Sequence, residues 1–327
     1  MKHVSILVPE QAVLASITDP KYMFTAVNNF MAANGNNIPF KIHLVGNTRE
    51  VKLDNGSFSV HTDYLINEVD HTDLIFIPAL SGDMFEALAK NKDLFPWIQQ
   101  HYKKGAEVVS LCVGAFMLAS TGLLDGKECS THWMSSNEFR QMFPNVKLKD
   151  DKIITEELGI YTSGGATSYW NLLLYLIEKY TSREVAIMAS KFFVIDIDRN
   201  SQSPFIIFQG QKKHEDENVF KAQEFIELNY RNKLTVDEIS KAINIGRRSL
   251  ERRFKRATQN TISEYIQRVK IEASKKSFET SKKNINEVMY DVGYSDTKAF
   301  RILFKKLTGL SPVEYRNKYQ RILTLEA

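Results

Sequence analysis

Phe254-Lys255-Arg256-Ala257-Thr258 and, fifty residues later, Phe304-Lys305-Lys306-Leu307-Thr308 are two versions of one pattern. The echo extends outward, with Glu264-Tyr265 returning as Glu314-Tyr315. Ahead of each copy stand a short helix signal, a tight turn and a basic amphipathic helix. In the first copy, Thr235-Val236-Asp237-Glu238 has Glu three residues after a capping Thr, the capping-box spacing, and Asn244-Ile245-Gly246 turns the chain. The helix expected over residues 247–258 puts Leu250, Phe254 and Ala257 at i, i+4 and i+7 on one apolar face. In the second copy, residues 285–292 form the supporting helix and Gly293-Tyr294 its turn. Ser295 is expected to cap a second basic helix over 296–308, with Phe300, Phe304 and Leu307 on its buried side. Gly309 suits the residue after a helix, and Ser311-Pro312 a cap followed by a first-turn proline.

Helix, turn and basic helix make a helix-turn-helix, whose second helix enters the major groove of DNA. Two in tandem predict a chain that reads two successive grooves. The faces opposite the apolar stripes carry the candidate DNA contacts. These are Arg247, Arg248, Arg252, Arg253, Lys255 and Arg256 in the first copy, and Thr297, Lys298, Arg301, Ile302 and Lys305 in the second. Arg near the start of a reading helix can grip guanine bidentately, worth about 1–3 kcal/mol of discrimination. That favours Arg248, Arg252, Lys298 and Arg301 for base edges, with Ile302 suited to a thymine methyl. Arg253, Lys255, Arg256 and Lys305 are assigned to phosphates, which give affinity and salt dependence rather than sequence choice. Residues 262–278, as one helix, would span about 25 Å. Successive major-groove faces lie about 34 Å apart, so that helix and its flanking turns suit a strut between the two readers.

Charge is divided along the same line. Residues 215–327 hold 23 Lys and Arg against 16 Asp and Glu, a net of +7, which leaves residues 1–214 at −3. A basic third on an acidic body points to a polyanionic partner for that third. The chain's 327 residues, 43% hydrophobic, suffice for two packed domains. Its two cysteines are too few for a disulfide framework. Met1-Lys2-His3-Val4-Ser5-Ile6-Leu7-Val8 runs directly into a strand pattern with no signal-peptide features, and no apolar run is long enough to span a bilayer. A cytoplasmic protein without membrane contact is expected.

Upstream of the repeat, strand and helix signals alternate. Strands are expected over 4–8, 40–45, 74–77 and 107–111, with a hairpin of 153–155 and 160–162. Helices are expected over 22–33, 83–90, 94–103, 114–120 and 167–180. This order predicts an α/β sandwich around a mostly parallel sheet, followed by an all-α part with two helix-turn-helix units. The pattern breaks down between 200 and 218. The expected division is a first domain over 1–200, a linker over 201–218 and a second domain over 219–327.

Val108-Val109-Ser110-Leu111-Cys112-Val113-Gly114-Ala115-Phe116 reads as strand, nucleophile-type residue, then a small residue opening a helix. This is the layout of a nucleophile elbow with Cys112 at the sharp turn. A helix N-terminus there is expected to lower the thiol pKa. It also aims N–H groups at an anion or carbonyl without requiring reaction. Cys129 has no motif and reads as an ordinary thiol.

Two resemblances follow. Asp291-Val292-Gly293-Tyr294-Ser295-Asp296, with Phe300, Phe304-Lys305 and Gly309-Leu310-Ser311-Pro312-Val313-Glu314-Tyr315-Arg316, resembles the signature of the AraC/XylS family of transcription regulators over residues 219–319. Thr121-Gly122-Leu123-Leu124-Asp125-Gly126-Lys127, Ser130-Thr131-His132-Trp133 and Thr162-Ser163-Gly164-Gly165-Ala166-Thr167 resemble the DJ-1/PfpI domain over residues 3–195. The closest likeness is to the branch fused to an AraC-type reader, the GlxA-like regulators. The resemblance implies a flavodoxin-like, class I glutamine amidotransferase-like fold and sequence-specific binding of double-stranded promoter DNA.

It further implies control by a small-molecule effector in the first domain, and a homodimer. The function expected is a transcription regulator, an activator working with RNA polymerase, and not an enzyme. The effector pocket should combine Cys112, Val113, His132 and Gly82. The alternative is a cysteine-dependent hydrolase or glyoxalase-like enzyme with Cys112 as nucleophile and His132 as the base candidate. Against it, Val113 stands where the peptidase branch has His, and Ser16 where the GlxA-like branch has Asp. Glu10 at the end of the first strand is the remaining acid. Neither a cofactor nor a metal is expected.

Overall fold

The first strand, β1 (Lys2–Leu7), is buried without alternation from Val4 to Leu7 because both its faces are covered there. The elements after it are α1 (Ala15–Ala33), β2 (Phe40–Gly46), the hairpin of β3 (Glu50–Leu53) and β4 (Phe58–His61), β5 (Tyr64–Leu65) and β6 (Leu74–Ile77). Next come α2 (Met84–Lys90), α3 (Leu94–Lys103), β7 (Glu107–Ser110), α4 (Ala115–Ser120), β8 (Glu128–Cys129), α5 (Ser136–Met142) and β9 (Lys147–Leu148). The hairpin of β10 (Ile154–Glu157) and β11 (Ile160–Ser163), then α6 (Tyr169–Tyr180) and α7 (Arg183–Phe193), complete this part. The computed structural model describes residues 1–197, 201–212 and 214–320. The chain divides into two units, Met1–Gln202 and Ser203–Ala327.

In the first unit seven strands form one sheet in the order β10-β11-β7-β6-β1-β2-β5. All neighbours are parallel except β10 and β11. Val4 sits opposite both Ile42 and Leu74, so β1 is central, and the crossovers leave it in both directions. Alternate residues serve opposite cores. Val4, Ile6, Leu74, Phe76 and Val109 face α1, α6 and α7. Leu7, Ile75, Ile77 and Val108 face α2, α3, α4 and α5. This is the α/β sandwich the sequence pattern predicts, in the flavodoxin-like form that the family resemblance implies. Its sheet switches direction beside β1 and β6, where open α/β sheets place ligand sites at the carboxyl ends of their strands.

The second unit is helical: α8 (Glu217–Asn229), α9 (Val236–Ala242), α10 (Arg247–Thr258), α11 (Ile262–Thr280), α12 (Ile285–Asp291), α13 (Thr297–Thr308) and α14 (Pro312–Tyr319). It has two small cores that share one helix. Ile262 and Tyr265 at the start of α11 join Ile226, Ile239, Leu250 and Phe254. Ile271 and Phe278 farther along it join Val288, Phe300, Phe304 and Tyr315. Capping boxes start α9 at Thr235, α11 at Thr261, α12 at Asn284 and α14 at Ser311.

Two expectations change. The cap of α13 is Asp296, whose carboxylate accepts from the Lys298 and Ala299 N–H groups, and not Ser295. The turn of the second unit is one residue longer than that of the first, which moves the helix start to Thr297. The stretch expected as a linker is no bare tether. Ser201 bridges to Lys152, and the Gln202 N–H donates to the Asp151 carbonyl. Phe208 lies against the core of the second unit, where burial of its ring outweighs the polarity of its neighbours.

Candidate nucleic-acid interface and the cysteine elbow

The two reading helices, α10 and α13, repeat each other at side-chain level. Over 251–258 and 301–308 the same sequence of exposed, half-buried and buried positions recurs. Phe254 and Phe304 are fully buried, and Thr258 and Thr308 each return a hydroxyl to the Phe carbonyl at 2.8 Å. Phe254 meets Tyr265 edge-on at 5.2 Å, and Phe304 meets Tyr315 at 5.5 Å. Tyr265 donates to Glu227 at 2.7 Å and Tyr315 to Glu279 at 2.5 Å. Gln259 and Gly309, both left-handed, end the two helices.

On the outer faces Arg248, Arg252, Arg256, Lys298, Arg301 and Lys305 are exposed. Among the described residues none of them has a carboxylate within ion-pair distance. Ile302 is 59% exposed, an apolar side chain left in solvent on a reading helix. Thr297 is half-buried in the first turn of α13. Arg247 is paired with Asp237 at 2.9 Å and Glu251 at 3.2 Å. Lys255 donates to the Gln259 carbonyl at 2.8 Å and lies 3.8 Å from Glu264.

Arg253 departs from the expected role. Its guanidinium grips Asp216, the N-cap of α8, with Nε and Nη2 at 2.8 and 2.6 Å. Asp216 is held below the usual carboxylate range, first of all by this hydrogen bond. Arg253 is therefore held as a clamp between α10 and the start of α8, a role sequence reasoning did not suggest. The repeat carried the signal, because position 253 corresponds to Leu303, a half-buried core residue of the second unit.

In the first unit β7 leads into the elbow. Cys112 has φ +55°, the left-handed region that a non-glycine residue occupies only under strain. Gly114 permits the sharp turn, since a Cβ there would lie 2.5 Å from the Pro78 carbonyl oxygen. The thiol is 7% exposed, and burial pushes it up to about 11. The expected depression by the helix N-terminus is thus reversed. Only the Val113 N–H opposes desolvation, and α4 is a short helix of six residues. Cys129 is fully buried and pushed up to about 12, again by burial.

The candidate partners of Cys112 do not form a catalytic set. His132 caps the turn before α5, its Nδ1 accepting from the Met134 N–H at 3.2 Å, and burial lowers its pKa, favouring the neutral ring. Among the described residues the Val113 N–H reaches the Cys112 thiol, while no hydrogen bond joins the thiol to His132 or Gly82. Thr131, next to His132, does donate to the Cys112 carbonyl at 3.1 Å. Gly82, at φ +80°, closes the turn after β6 beside Gln11. Glu10 is tied through its backbone to Asn91. Ser16 braces backbone, taking the Ala79 N–H at 2.9 Å.

Sequence reasoning missed the Asp19–Tyr169 pair, joined at 2.7 Å. Burial raises the Asp19 pKa, and Tyr169 lies in the same core cluster as Cys112. These residues come from α1 and α6, 150 positions apart, so no local motif could join them. Among the described residues no group of three His, Cys, Asp or Glu side chains is arranged to hold a metal.

Residues 4–179 match the DJ-1/PfpI family, and residues 239–318 match a helix-turn-helix domain. The chain belongs to the DJ-1/PfpI family and carries an AraC-type helix-turn-helix domain. It is 27% identical over 227 residues to the HTH-type transcriptional regulator GbdR of Pseudomonas aeruginosa, covering 67% of this chain and 60% of GbdR. It is 26% identical over 222 residues to ArgR of the same species, covering 68% of this chain and 67% of ArgR. A ThiJ/PfpI family protein from Pseudomonas syringae shares the fold, with a TM-score of 0.51 and 18% identity over 74% of this chain and 89% of its own.

Proposed function

We propose that this chain is a sequence-specific transcription regulator that binds double-stranded promoter DNA through α10 and α13 and takes a small-molecule effector in its DJ-1/PfpI unit. The observation that carries the proposal is the duplication: two reading helices with the same buried face, each presenting exposed cations, Arg248, Arg252 and Arg256 on one and Lys298, Arg301 and Lys305 on the other, with no carboxylate in ion-pair distance among the described residues. Such cations are suited to phosphates and guanine edges. Named relatives are HTH-type transcriptional regulators, which supports the same role.

Arg248, Arg252, Lys298, Arg301 and Ile302 are the proposed base readers, with Arg256, Lys255 and Lys305 on phosphates and Arg247 and Thr297 at the helix starts. The effector pocket is proposed at the carboxyl ends of the strands, around Cys112, Val113, Gly82 and His132. A thiol pushed by burial up to about 11, with no base hydrogen-bonded to it among the described residues, favours binding over nucleophilic chemistry. In the cytoplasm a homodimer would cover two half-sites and, as an activator, would contact RNA polymerase. Among the described residues no helix is long and apolar enough to cross a membrane.

Sequencing the genomic fragments retained by the purified protein at near-physiological salt tests the proposal. A few sharply enriched sites are expected. Uniform retention, tracking fragment length alone, would reject sequence-specific regulation.

A further inference from the structure

The helices α10 and α13 belong to different cores, and α11 is the helix that contributes buried residues to both. That helix, 19 residues and about 28 Å long, can act as a strut, but how firmly each reader sits on it depends on the contacts that flank it. Two lysines on α11 are buried, and both reach beyond their own helix. Lys270 is 6% exposed, and its ammonium donates to the Asn232 carbonyl in the first helix-turn-helix unit and the Gly293 carbonyl in the second, each at 3.3 Å. Burial lowers its pKa. Lys275 is 4% exposed and donates to the Ile206 carbonyl and, at 2.7 Å, to Glu272. Five residues apart, the two side chains leave α11 about 140° from each other.

The Lys275 contact holds a strap. Residues 203–212 run alongside α11 and touch both halves. At one end, Ser203 lies against Gly309, the cap of α13. The Tyr319 hydroxyl donates to the Pro204 carbonyl at 3.1 Å. In the middle, the Phe208 N–H donates to Glu272 at 3.0 Å, so one carboxylate receives both the strap and Lys275. At the other end, the Phe208 ring packs edge-on to Tyr265 at 5.1 Å, and Lys212 pairs with Glu227 at 2.7 Å.

We propose that Lys270 and Lys275 are positioning residues which, with the strap over 203–212, lock the separation of α10 and α13 and so determine the spacing of base blocks the protein accepts. The proposal deepens the DNA-reading function above and rests on it. A buried ammonium must keep its oxygen partners, which makes each lysine a fixed pin rather than a flexible tether. With the strap on one side of α11 and the Lys270 pin on the other, both bending and twisting of the pair are restrained.

The test uses the full chain with Lys241→Cys and Asn286→Cys spin-labelled, one label on the supporting helix of each unit. The parent should give one narrow distance distribution. Lys270→Met and Lys275→Met, at unchanged helical content, should broaden it. In parallel, the enriched site is altered by inserting or deleting one base pair between its two blocks. The parent should lose about tenfold or more in affinity per base pair shifted, as for a mismatch of about 1.4 kcal/mol. The variants should lose less than about threefold while binding the native spacing more weakly.

If Lys275→Met does not fold, Phe208→Ala loosens the strap with both lysines in place and should broaden the distances. Parent-like distances and parent-like spacing selectivity in the variants would overturn the proposal. A parent that binds no spacing would instead remove the DNA-reading function, while the distance measurement still decides whether the lysines lock the two units.

Discussion

Arg253 lies on a reading helix but faces inward, donating two hydrogen bonds to Asp216 at the cap of α8. Its counterpart fifty residues on is Leu303, part of the second core. One position thus holds a polar clamp in one unit and an apolar contact in the other. Arg253→Ala should lower the Tm and leave the salt slope of DNA binding unchanged. Arg256→Ala should reduce that slope by about one and leave the Tm unchanged. Paired thermal melts and salt titrations separate the two, and equal salt slopes lost in both variants would contradict the assignment.

The Asp216 clamp also sets an acid limit. The folded-state pKa of Asp216 is depressed from 3.8, so its contribution is fully present above that value and is lost as pH falls through the lower folded value. Stability against pH should therefore decline below about pH 4. In Asp216→Asn that part of the decline should be flattened. Removing the side-chain cap altogether, as in Asp216→Ala, should cost about 1 kcal/mol from the helix end alone. Denaturant midpoints measured between pH 3 and pH 6 check both.

On the exposed face, Arg252→Ala and Arg301→Ala should relax base preference at one position each, at about 1–3 kcal/mol per contact. Lys305→Ala should weaken all sequences nearly equally and lower the salt slope. Binding assays with single-base variants of an enriched site distinguish these outcomes. Uniform loss for all three substitutions would reassign the arginines to phosphates.

What was legible in the sequence was mostly local. The α10 helix begins and ends at residues 247 and 258, where its turn and buried stripe put it, because capping and i, i+4 packing act within a few residues. The sheet's buried strands were legible for the same reason. In α1, Pro20 obscured the first turns, and the helix in fact starts at Ala15. The β3–β4 hairpin and α7 were also missed. The partners that matter most at the sites lie far apart in sequence. Asp216 with Arg253, Asp19 with Tyr169, and Lys270 with Asn232 and Gly293 are tertiary contacts that no local period encodes. The thiol of Cys112 was misjudged because the elbow pattern reports backbone shape, whereas burial sets its acidity.

The two turns should respond differently to the same substitution. Gly293 has φ +77°, and a Cβ there would lie 2.1 Å from the Arg231 carbonyl oxygen. Gly293→Ala should cost about 1–2 kcal/mol for the left-handed backbone alone, plus the overlap. Gly246 has φ −65° with open space around it, so Gly246→Ala should cost under about 1 kcal/mol, as a poorer cap. Denaturant unfolding of the two variants measures the contrast, and equal costs would contradict it.

Cys112 should behave as a buried thiol. With its pKa near 11, alkylation by iodoacetamide should rise about tenfold per pH unit from pH 7 to 10 with no plateau. Cys112→Ala should retain DNA binding. A rate plateau near neutral pH, with turnover lost in Cys112→Ala, would establish the hydrolase or glyoxalase-like alternative.

Hydroxyl-radical footprinting on an enriched site tests the central claim most directly. Two protected blocks should appear on one face of the duplex, about one helical turn apart. Lys298→Ala with Arg301→Ala should erase one block, and Arg248→Ala with Arg252→Ala the other. A single block, or loss of both blocks together in each pair of variants, would contradict two independent reading helices.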